Sequence, residues 1–199
     1  MMKKGLIVSV SGPSGVGKGT VLAKIRELMP ECGQSISVTT RSPRGAEKDG
    51  VEYYFRTKDE FMELVETGEI IEYDTYVGNC YGTPAGPLAE MSEKGKDVLL
   101  DLTIAGSLAL KARFEQTVTI FILPPSFEAL KERLEGRGTE DKDLVAKRMD
   151  VARSEICEAG KFDYVVINDD LDETVRKVVS IIEAEKCRYK RNEGIERSL

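Results

Sequence analysis

The chain has 199 residues, of which 41% are hydrophobic and 32% are charged, an ordinary balance for a globular protein with one good core. Its 29 Lys and Arg residues against 35 Asp and Glu residues leave a net charge of −6, which argues against nucleic acid or an anionic membrane as the main partner. Histidine is absent, which excludes Ser-His-Asp and Cys-His nucleophiles and the commonest zinc sites. Catalysis must therefore use lysine, arginine, carboxylates or a metal ion, a set that suits phosphoryl transfer.

The cysteines and the N-terminal residues indicate the cellular compartment of the protein. The 4 cysteines lie far apart and form no Cys-x-x-Cys pair, so neither disulfides nor a zinc site are expected. The chain starts Met-Met-Lys-Lys, and the apolar run that follows is too short for a signal peptide or a membrane span. We therefore expect a cytoplasmic protein that does not engage a membrane.

The first predicted strand, over 5–10, leads into a glycine-rich loop and then a helical pattern over 18–29. We call residues 12–20 the phosphate loop; they are Gly12, Pro13, Ser14, Gly15, Val16, Gly17, Lys18, Gly19 and Thr20. The glycines allow positive φ, so that successive N–H groups surround one anion. Lys18 adds a charge near the β- and γ-phosphates, and the helix N-terminus adds its dipole. This pattern predicts a site for a nucleoside triphosphate.

The phosphate loop departs from the general motif at one position. Gly19 stands where the motif has a Ser or Thr hydroxyl for Mg²⁺, and the hydroxyl comes one residue later, at Thr20. We therefore expect Mg²⁺ to be held mainly by phosphate oxygens and water. Thr20 and Asp101 are the candidate protein ligands.

Residues 34–83 interrupt the alternation of strands and helices. They contain three short β-like pieces, a polar loop over 39–50 and a helix opened by the capping box Thr57-x-x-Glu60. We expect an inserted subdomain here, and we call residues 34–83 the insert.

After the insert, strands and helices alternate again. Apolar runs without alternation predict strands covered on both faces at 97–101, 117–123 and 164–167. Helical patterns lie at 84–94, 103–114, 126–159 with a break, and 171–190. The basic residues over 186–191 are expected to form a frayed end. The fold class is therefore α/β: a three-layer P-loop NTPase core with a parallel sheet, a small inserted α+β subdomain and a helical lid.

These patterns predict a single domain over 1–199 with three parts. The expected core is 1–33, 84–125 and 151–199, the insert is 34–83, and the lid is 126–150. From charge pattern alone, a solvated helical pair with intrahelical ion pairs would be the favoured description of the lid residues.

Several further pieces of sequence, taken together, are more specific than the phosphate loop. They are Thr39-Thr40-Arg41-Ser42-Pro43-Arg44, Gly50-Val51-Glu52-Tyr53-Tyr54-Phe55, Ile70-Ile71-Glu72-Tyr73, Gly78-Asn79-Cys80-Tyr81-Gly82-Thr83 and Phe162-Asp163-Tyr164-Val165-Val166-Ile167-Asn168-Asp169-Asp170. In their order and spacing, over almost the full length, they resemble guanylate kinase.

The resemblance implies a GMP site in and near the insert. Glu72 occupies the guanine-reading position, where a carboxylate accepts from N1–H and N2–H₂ donors that adenine lacks. The other implied residues are the hydroxyls of Ser37 and Thr83, a phosphate clamp of Arg41, Arg44, Tyr53 and Tyr81, and Asp101 at the end of a strand.

The resemblance also implies an ATP site. Arg137 and Arg148 match lid arginines that neutralise the transferring phosphoryl group, and Arg133 is a weaker candidate. Asn168 and Asp169 lie where the family meets adenine. Lys18, Arg41, Arg137 and Arg148 are the implied catalytic residues.

One segment departs from the family. Guanylate kinases usually carry Asp-x-Asp, then a glutamine before a glycine, whereas this chain keeps Asp101 but has Thr103 and Ala105 before Gly106. The missing second carboxylate bears on how the arginine clamp is oriented.

The implied reaction is ATP + GMP → ADP + GDP with Mg²⁺, with dGMP as a further acceptor, in purine nucleotide metabolism and GMP recycling. The expected partners are these small molecules, and the protein would be a monomer or a homo-oligomer. Two alternatives stay open: a P-loop kinase for another acceptor such as a ribose bisphosphate, and a guanylate-kinase-like binding module without turnover.

Overall fold

The computed structural model describes residues 4–76, 78–136 and 142–198. In chain order, its strands and helices are β1 (Ile7–Ser11), α1 (Lys18–Leu28), β2 (Val38–Thr39), β3 (Tyr54–Phe55), α2 (Lys58–Glu66), β4 (Ile70–Tyr76), β5 (Asn79–Pro84), α3 (Ala85–Glu93), β6 (Val98–Asp101), α4 (Ile104–Arg113), β7 (Val118–Leu123), α5 (Phe127–Glu135), α6 (Lys142–Cys157), β8 (Tyr164–Ile167) and α7 (Leu171–Lys186). The strands form two sheets, in the orders β6-β1-β7-β8 and β3-β2-β5-β4. The predicted α/β class is therefore confirmed.

The predicted strands of the first sheet are present with small shifts in their ends. β1 pairs in parallel with β7, and β7 pairs in parallel with β8. β1 begins two residues later than predicted, because the backbone N–H of Gly5 donates to Ser92 and that of Leu6 to the Asp97 side chain. The N–H groups of Gly5 and Leu6 are therefore not available to a neighbouring strand.

The chain divides into two compact units, of which the first comprises the residues up to Ile7, Glu31–Leu100 and Ala105–Thr117. In this unit, helix α2 packs on the sheet β3-β2-β5-β4 around the fully buried Phe61. The predicted capping box is present, since the Thr57 N–H donates to Glu60 (2.7 Å) and the Glu60 N–H to the Thr57 hydroxyl (3.2 Å). The insert holds four strands rather than the three predicted, because β2 and β3 have 2 residues each, too few to show a strand pattern.

The second unit comprises Val8–Pro30, Asp101–Ile104 and the residues from Val118 onward. Its core is formed by apolar residues of β7 and β8 with the buried faces of α1 and α7, and a second cluster joins α5 to α6. The helical region predicted over 126–159 with a break consists of two helices, α5 and α6, followed by a 3₁₀ turn at Glu158–Lys161.

The C-terminal end of α7 differs from the prediction. The helix ends at Lys186 instead of continuing to residue 190, and a 3₁₀ turn follows at Tyr189–Arg191. The Asn192 side-chain amide donates to the carbonyls of Lys186 and Arg188, both at 2.8 Å, so this end is bonded rather than frayed. Among the described residues, no helix is both long and apolar enough to cross a membrane.

Candidate active site

The backbone of the phosphate loop follows from its glycines. Gly12, Gly15 and Gly17 have φ values of 147°, 87° and 97°, which other residues rarely adopt. A Cβ atom on Gly12 would lie 2.3 Å from the carbonyl oxygen of Ile122. Gly17 is the N-cap of α1 in the left-handed conformation. The loop can therefore keep this path only with glycine at these positions.

Lys18 lies where the phosphate loop enters α1. Its Nζ donates to the carbonyl oxygen of Gly12 at 2.7 Å, across the turn of the loop. Burial lowers the pKa of Lys18, and the Asp101 and Glu155 carboxylates act in the opposite direction. The Lys18 ammonium is thus held over the loop, and the two carboxylates favour its charged form.

Helix α6 supplies two side chains to the phosphate loop. Arg148 Nη2 donates to the hydroxyl of Ser14 at 2.7 Å. The backbone N–H of Ser14 donates to Glu155 Oε2 at 3.3 Å. The structure therefore brings the predicted lid residue Arg148 to the loop. Arg137, the other predicted lid arginine, lies outside the described residues.

A cavity of about 280 Å³ lies beside the phosphate loop. The buried Asn168 donates from Nδ2 to the Val16 carbonyl (2.8 Å), and Arg133 donates to the carbonyls of Val16 (3.2 Å) and Asn168 (2.9 Å). These bonds tie the loop to the segment between β8 and α7. The cavity is lined by Gly15, Val16, Gly17, Thr20, Arg133, Asn168, Asp169 and Leu171, so the predicted adenine-side residues are adjacent to the loop.

Arg41 is the most strongly bonded of the predicted acceptor residues. Its Nη1 and Nη2 donate to the two carboxylate oxygens of Glu47 at 3.0 and 2.9 Å, and Nη1 also donates to the Ser42 carbonyl at 2.8 Å. The guanidinium carbon lies 5.3 Å from the ring centre of Tyr53 and 5.8 Å from that of Phe55. Arg41 is thus oriented by its own loop, without the second aspartate that the family usually carries.

The other predicted clamp residues lie around Arg41 to different degrees. The rings of Tyr53 and Tyr81 contact edge to face at 6.0 Å, and the Tyr81 hydroxyl interacts with the Arg41 guanidinium. The side chain of Arg44 is exposed, while its backbone N–H donates to Glu47 Oε2 at 2.7 Å. These contacts from Arg41 and from the Arg44 backbone lower the pKa of Glu47.

The predicted guanine-reading residues lie on neighbouring strands. The buried hydroxyl of Thr83, on β5, donates to Glu72 Oε1, on β4, at 2.7 Å. Burial raises the pKa of Glu72, and the Thr83 hydrogen bond opposes this shift. Thr83 and Tyr81 are two residues apart on β5 and so share one face of the strand. The half-buried Ser37 precedes β2, where its carbonyl accepts from the Tyr54 N–H.

Asp101 and Thr20 are the oxygen donors predicted for a metal ion. Asp101 ends β6, where burial raises the pKa of its carboxyl against the opposing charges of Lys18 and Arg26. Thr20 lies exposed in the first turn of α1, on the cavity wall. No group of three or more Cys, Asp or Glu residues within the described ranges forms a metal site. One carboxylate and one hydroxyl fit Mg²⁺, which keeps several waters and takes its other ligands from phosphates.

Comparisons with known proteins agree with this geometry. The family model described as guanylate kinase matches residues 3–185. The chain belongs to the guanylate kinase family. It is 43% identical over 189 residues to the guanylate kinase of Halalkalibacterium halodurans (95% of this chain and 93% of that protein), and 45% identical to that of Oceanobacillus iheyensis (95% and 92%).

A solved structure agrees with the same family. The crystal structure of guanylate kinase from Anaplasma phagocytophilum matches with a TM-score of 0.74 and 35% identity, covering 99% of this chain and 94% of that one. The chain is therefore an enzyme of the guanylate kinase family, and the predicted family is confirmed.

Three residues of this guanylate kinase family site were not singled out from the sequence. Glu47 binds Arg41 and Glu155 binds the phosphate loop. Gly106 lies against the Glu72 carboxylate. Glu155 follows Arg148 by seven residues, which places both on one face of α6, so helical spacing was an available signal. The contact of Gly106 joins residues far apart in sequence and left no signal.

Proposed function

We propose that this guanylate kinase family member transfers the terminal phosphoryl group of ATP to GMP or dGMP, giving ADP and GDP or dGDP. The observation that carries the choice of acceptor is the Glu72 carboxylate, partly buried and bonded through Oε1 to the Thr83 hydroxyl at 2.7 Å. Guanine offers N1–H and N2–H₂ donors to such a group, whereas adenine would leave it without donors. A site of this kind discriminates by roughly 10⁴-fold or more.

On the donor side, the phosphate loop binds the triphosphate through its backbone N–H groups and through Lys18. Arg148 and Arg137 neutralise charge on the transferring group as the lid residues 126–150 close. Asn168 and Asp169, at the rim of the cavity beside the loop, meet the adenine base.

On the acceptor side, Arg41 and Arg44 bind the monophosphate with the hydroxyls of Tyr53 and Tyr81. A guanidinium is suited to this role because its planar fork binds two phosphate oxygens at once. The acceptor phosphate is already anionic near neutral pH, so the reaction needs no strong general base. Ser37 and Thr83 complete the contacts to the base.

Mg²⁺ supplies charge neutralisation between the β- and γ-phosphates when it is bound. Asp101 and Thr20 are the residues that would hold it, through water or directly. The negative charge of Asp101 also favours the charged form of the Lys18 ammonium.

The proposal includes the three parts of the domain: a core of 1–33, 84–125 and 151–199, a GMP-binding insert of 34–83 and a lid of 126–150. Closure of the insert and lid excludes water, which would otherwise accept the phosphoryl group. In the cell, this activity would recycle GMP in purine nucleotide metabolism in the cytoplasm.

The test measures ADP formation from ATP·Mg²⁺ with GMP, dGMP, AMP, CMP, UMP and a ribose bisphosphate offered separately. Wild type is compared with Glu72→Gln and with Glu69→Gln, an exposed glutamate just before β4. We expect turnover only with the guanine nucleotides, weakened by Glu72→Gln and unchanged by Glu69→Gln. Turnover with another acceptor would contradict the substrate, and no turnover with any acceptor would favour a binding module.

A further inference from the structure

Gly106 lies in the first turn of α4 and contacts the Glu72 carboxylate. It is buried, and a Cβ atom at this position would lie 2.7 Å from Glu72 Oε2 and 2.9 Å from both Cδ and Cγ. All three nearest atoms belong to the Glu72 side chain. The space that a side chain at 106 would fill is therefore the space that the carboxylate occupies.

Glu72 cannot move aside without losing other contacts. Its Oε1 accepts a hydrogen bond from the Thr83 hydroxyl at 2.7 Å, while the other oxygen, Oε2, is the atom nearest to Gly106. Its backbone lies where the pairing of β4 with β5 shifts register, between Ile70 and Tyr73, and a Cβ atom on Gly82 would lie 3.1 Å from the Glu72 carbonyl oxygen. A rotation of the side chain that takes the carboxylate away from Gly106 also displaces Oε1 from the Thr83 hydroxyl.

We infer that Gly106 is a positioning residue for guanine recognition, because its bare Cα leaves the space that fixes the Glu72 carboxylate against α4. The inference rests on the proposed function, since it assigns Glu72 to the base. It requires glycine here for side-chain space rather than for backbone conformation, because Gly106 lies within a regular helix and has no positive φ.

This distinction makes the substitution Gly106→Ala informative. In a helix, alanine is favoured over glycine, so the variant should fold and α4 itself should be no less stable. The carboxylate must retreat from 2.7 Å to about 3.4 Å, where ordinary contact begins, a displacement of about 0.7 Å. A displaced carboxylate loses the alignment of its hydrogen bonds to N1–H and N2–H₂.

A matched control exists on α3. Gly86 also lies in the first turn of a helix, but a Cβ atom there meets nothing within 4 Å. Gly86→Ala therefore has the same chemistry and the same effect on helix propensity without the contact to Glu72. Its kinetic constants should equal those of the wild type.

The experiment measures steady-state kinetics for wild type, Gly106→Ala, Gly86→Ala, Glu72→Ala and the double variant Gly106→Ala/Glu72→Ala. We expect Gly106→Ala to raise KM for GMP about tenfold, with KM for ATP unchanged. Its preference for GMP over IMP, which lacks the 2-amino group, should fall. In the Glu72→Ala background, which removes the three atoms that a Cβ at position 106 would meet, Gly106→Ala should have no further effect on GMP. An unchanged KM for GMP, or an equal loss in both backgrounds, would overturn the inference.

A second measurement does not depend on turnover. A ¹³C NMR titration of the Glu72 carboxyl should show its pKa falling toward the ordinary glutamate value in Gly106→Ala and unchanged in Gly86→Ala, because the displaced group gains solvent. If this shift is seen in a protein that does not phosphorylate GMP, the proposed function fails and the positioning role stands. If the pKa of Glu72 is the same in both variants, the positioning role fails whatever the activity.

Discussion

The phosphate loop and the acceptor residues of the insert prepare for phosphate in different ways. The loop is a backbone device, in which three glycines with positive φ set the path of the chain and only Lys18 adds a charge. The acceptor residues are a side-chain device, in which Arg41 is fixed by Glu47 and Glu72 by Thr83. A backbone site depends on a few contiguous residues, whereas a side-chain site depends on partners brought together by the fold.

The largest expected effect comes from removing the lysine of the phosphate loop. Lys18→Met should lower kcat by about 10³-fold, because it removes the one charged side chain of the phosphate loop itself. The measurement is ADP formation with GMP as acceptor. The matched control is Lys24→Met on the same helix, where Lys24 makes an exposed ion pair with Asp172. Wild-type-like turnover in Lys18→Met would contradict the mechanism.

The next effect separates the two devices. Arg41→Lys should raise KM for GMP by about 10²-fold and leave KM for ATP unchanged, because an ammonium loses the planar fork and the stacking on Tyr53. Initial rates at varied GMP and varied ATP provide the check. Arg56→Lys, at a half-buried arginine of the insert paired with Asp49, serves as the control. A rise in KM for both substrates would mean that the two sites are not independent.

A smaller effect concerns pH. Burial raises the pKa of Glu72 above its ordinary value of 4.5, so the carboxylate gains its proton earlier as pH falls. Because the protonated group no longer accepts from both guanine donors, kcat/KM for GMP should fall several-fold on the acid side, and Glu72→Gln should lack this limb. A pH profile of kcat/KM for each protein tests this, and an identical acid limb in Glu72→Gln would contradict it.

The raised pKa of Glu72 also makes the stability of the folded state depend on pH. A carboxyl whose pKa is raised on folding favours the folded state fully below its ordinary pKa, and this contribution is lost as pH rises through the folded pKa. Glu72→Gln should therefore unfold at an equal or higher temperature than the wild type at pH 7, even as GMP turnover falls. Thermal unfolding followed by circular dichroism measures the difference.

The smallest effect refines the loop side. A Cβ atom on Gly19 meets nothing within 4 Å, so Gly19→Ser should fit and restore the hydroxyl of the general motif. We expect turnover to be kept and the Mg²⁺ concentration for half-maximal rate to fall about two- to fivefold. Gly19→Ala separates the hydroxyl from the gain in helix propensity. Equal Mg²⁺ dependence in all three proteins would show that this position does not reach the metal.

The sequence could predict features made of contiguous residues, but not those made of partners that the fold brings together. The phosphate loop, the Thr57 capping box and the strands at 117–123 and 164–167 are contiguous patterns, and the structure contains each of them. Glu47 and Gly106 act through contacts that appear only when the chain is folded, so no local spacing marked them. The sequence pattern did not mark both β2 and β3 as strands, because a strand of 2 residues is too short to show the alternation of a strand.

The ion pair of Arg41 with Glu47 also affects which anions the acceptor pocket binds weakly. Each partner keeps little solvent exposure, 10% for the Arg41 side chain and 23% for that of Glu47, so the guanidinium charge is balanced at short range. This pairing reduces the positive potential that Arg41 contributes, so a bare anion is attracted to it less strongly at a distance. Inorganic phosphate should therefore be a poor competitor, and a phosphate group should bind well only when an attached base pays part of the ordering entropy through Glu72.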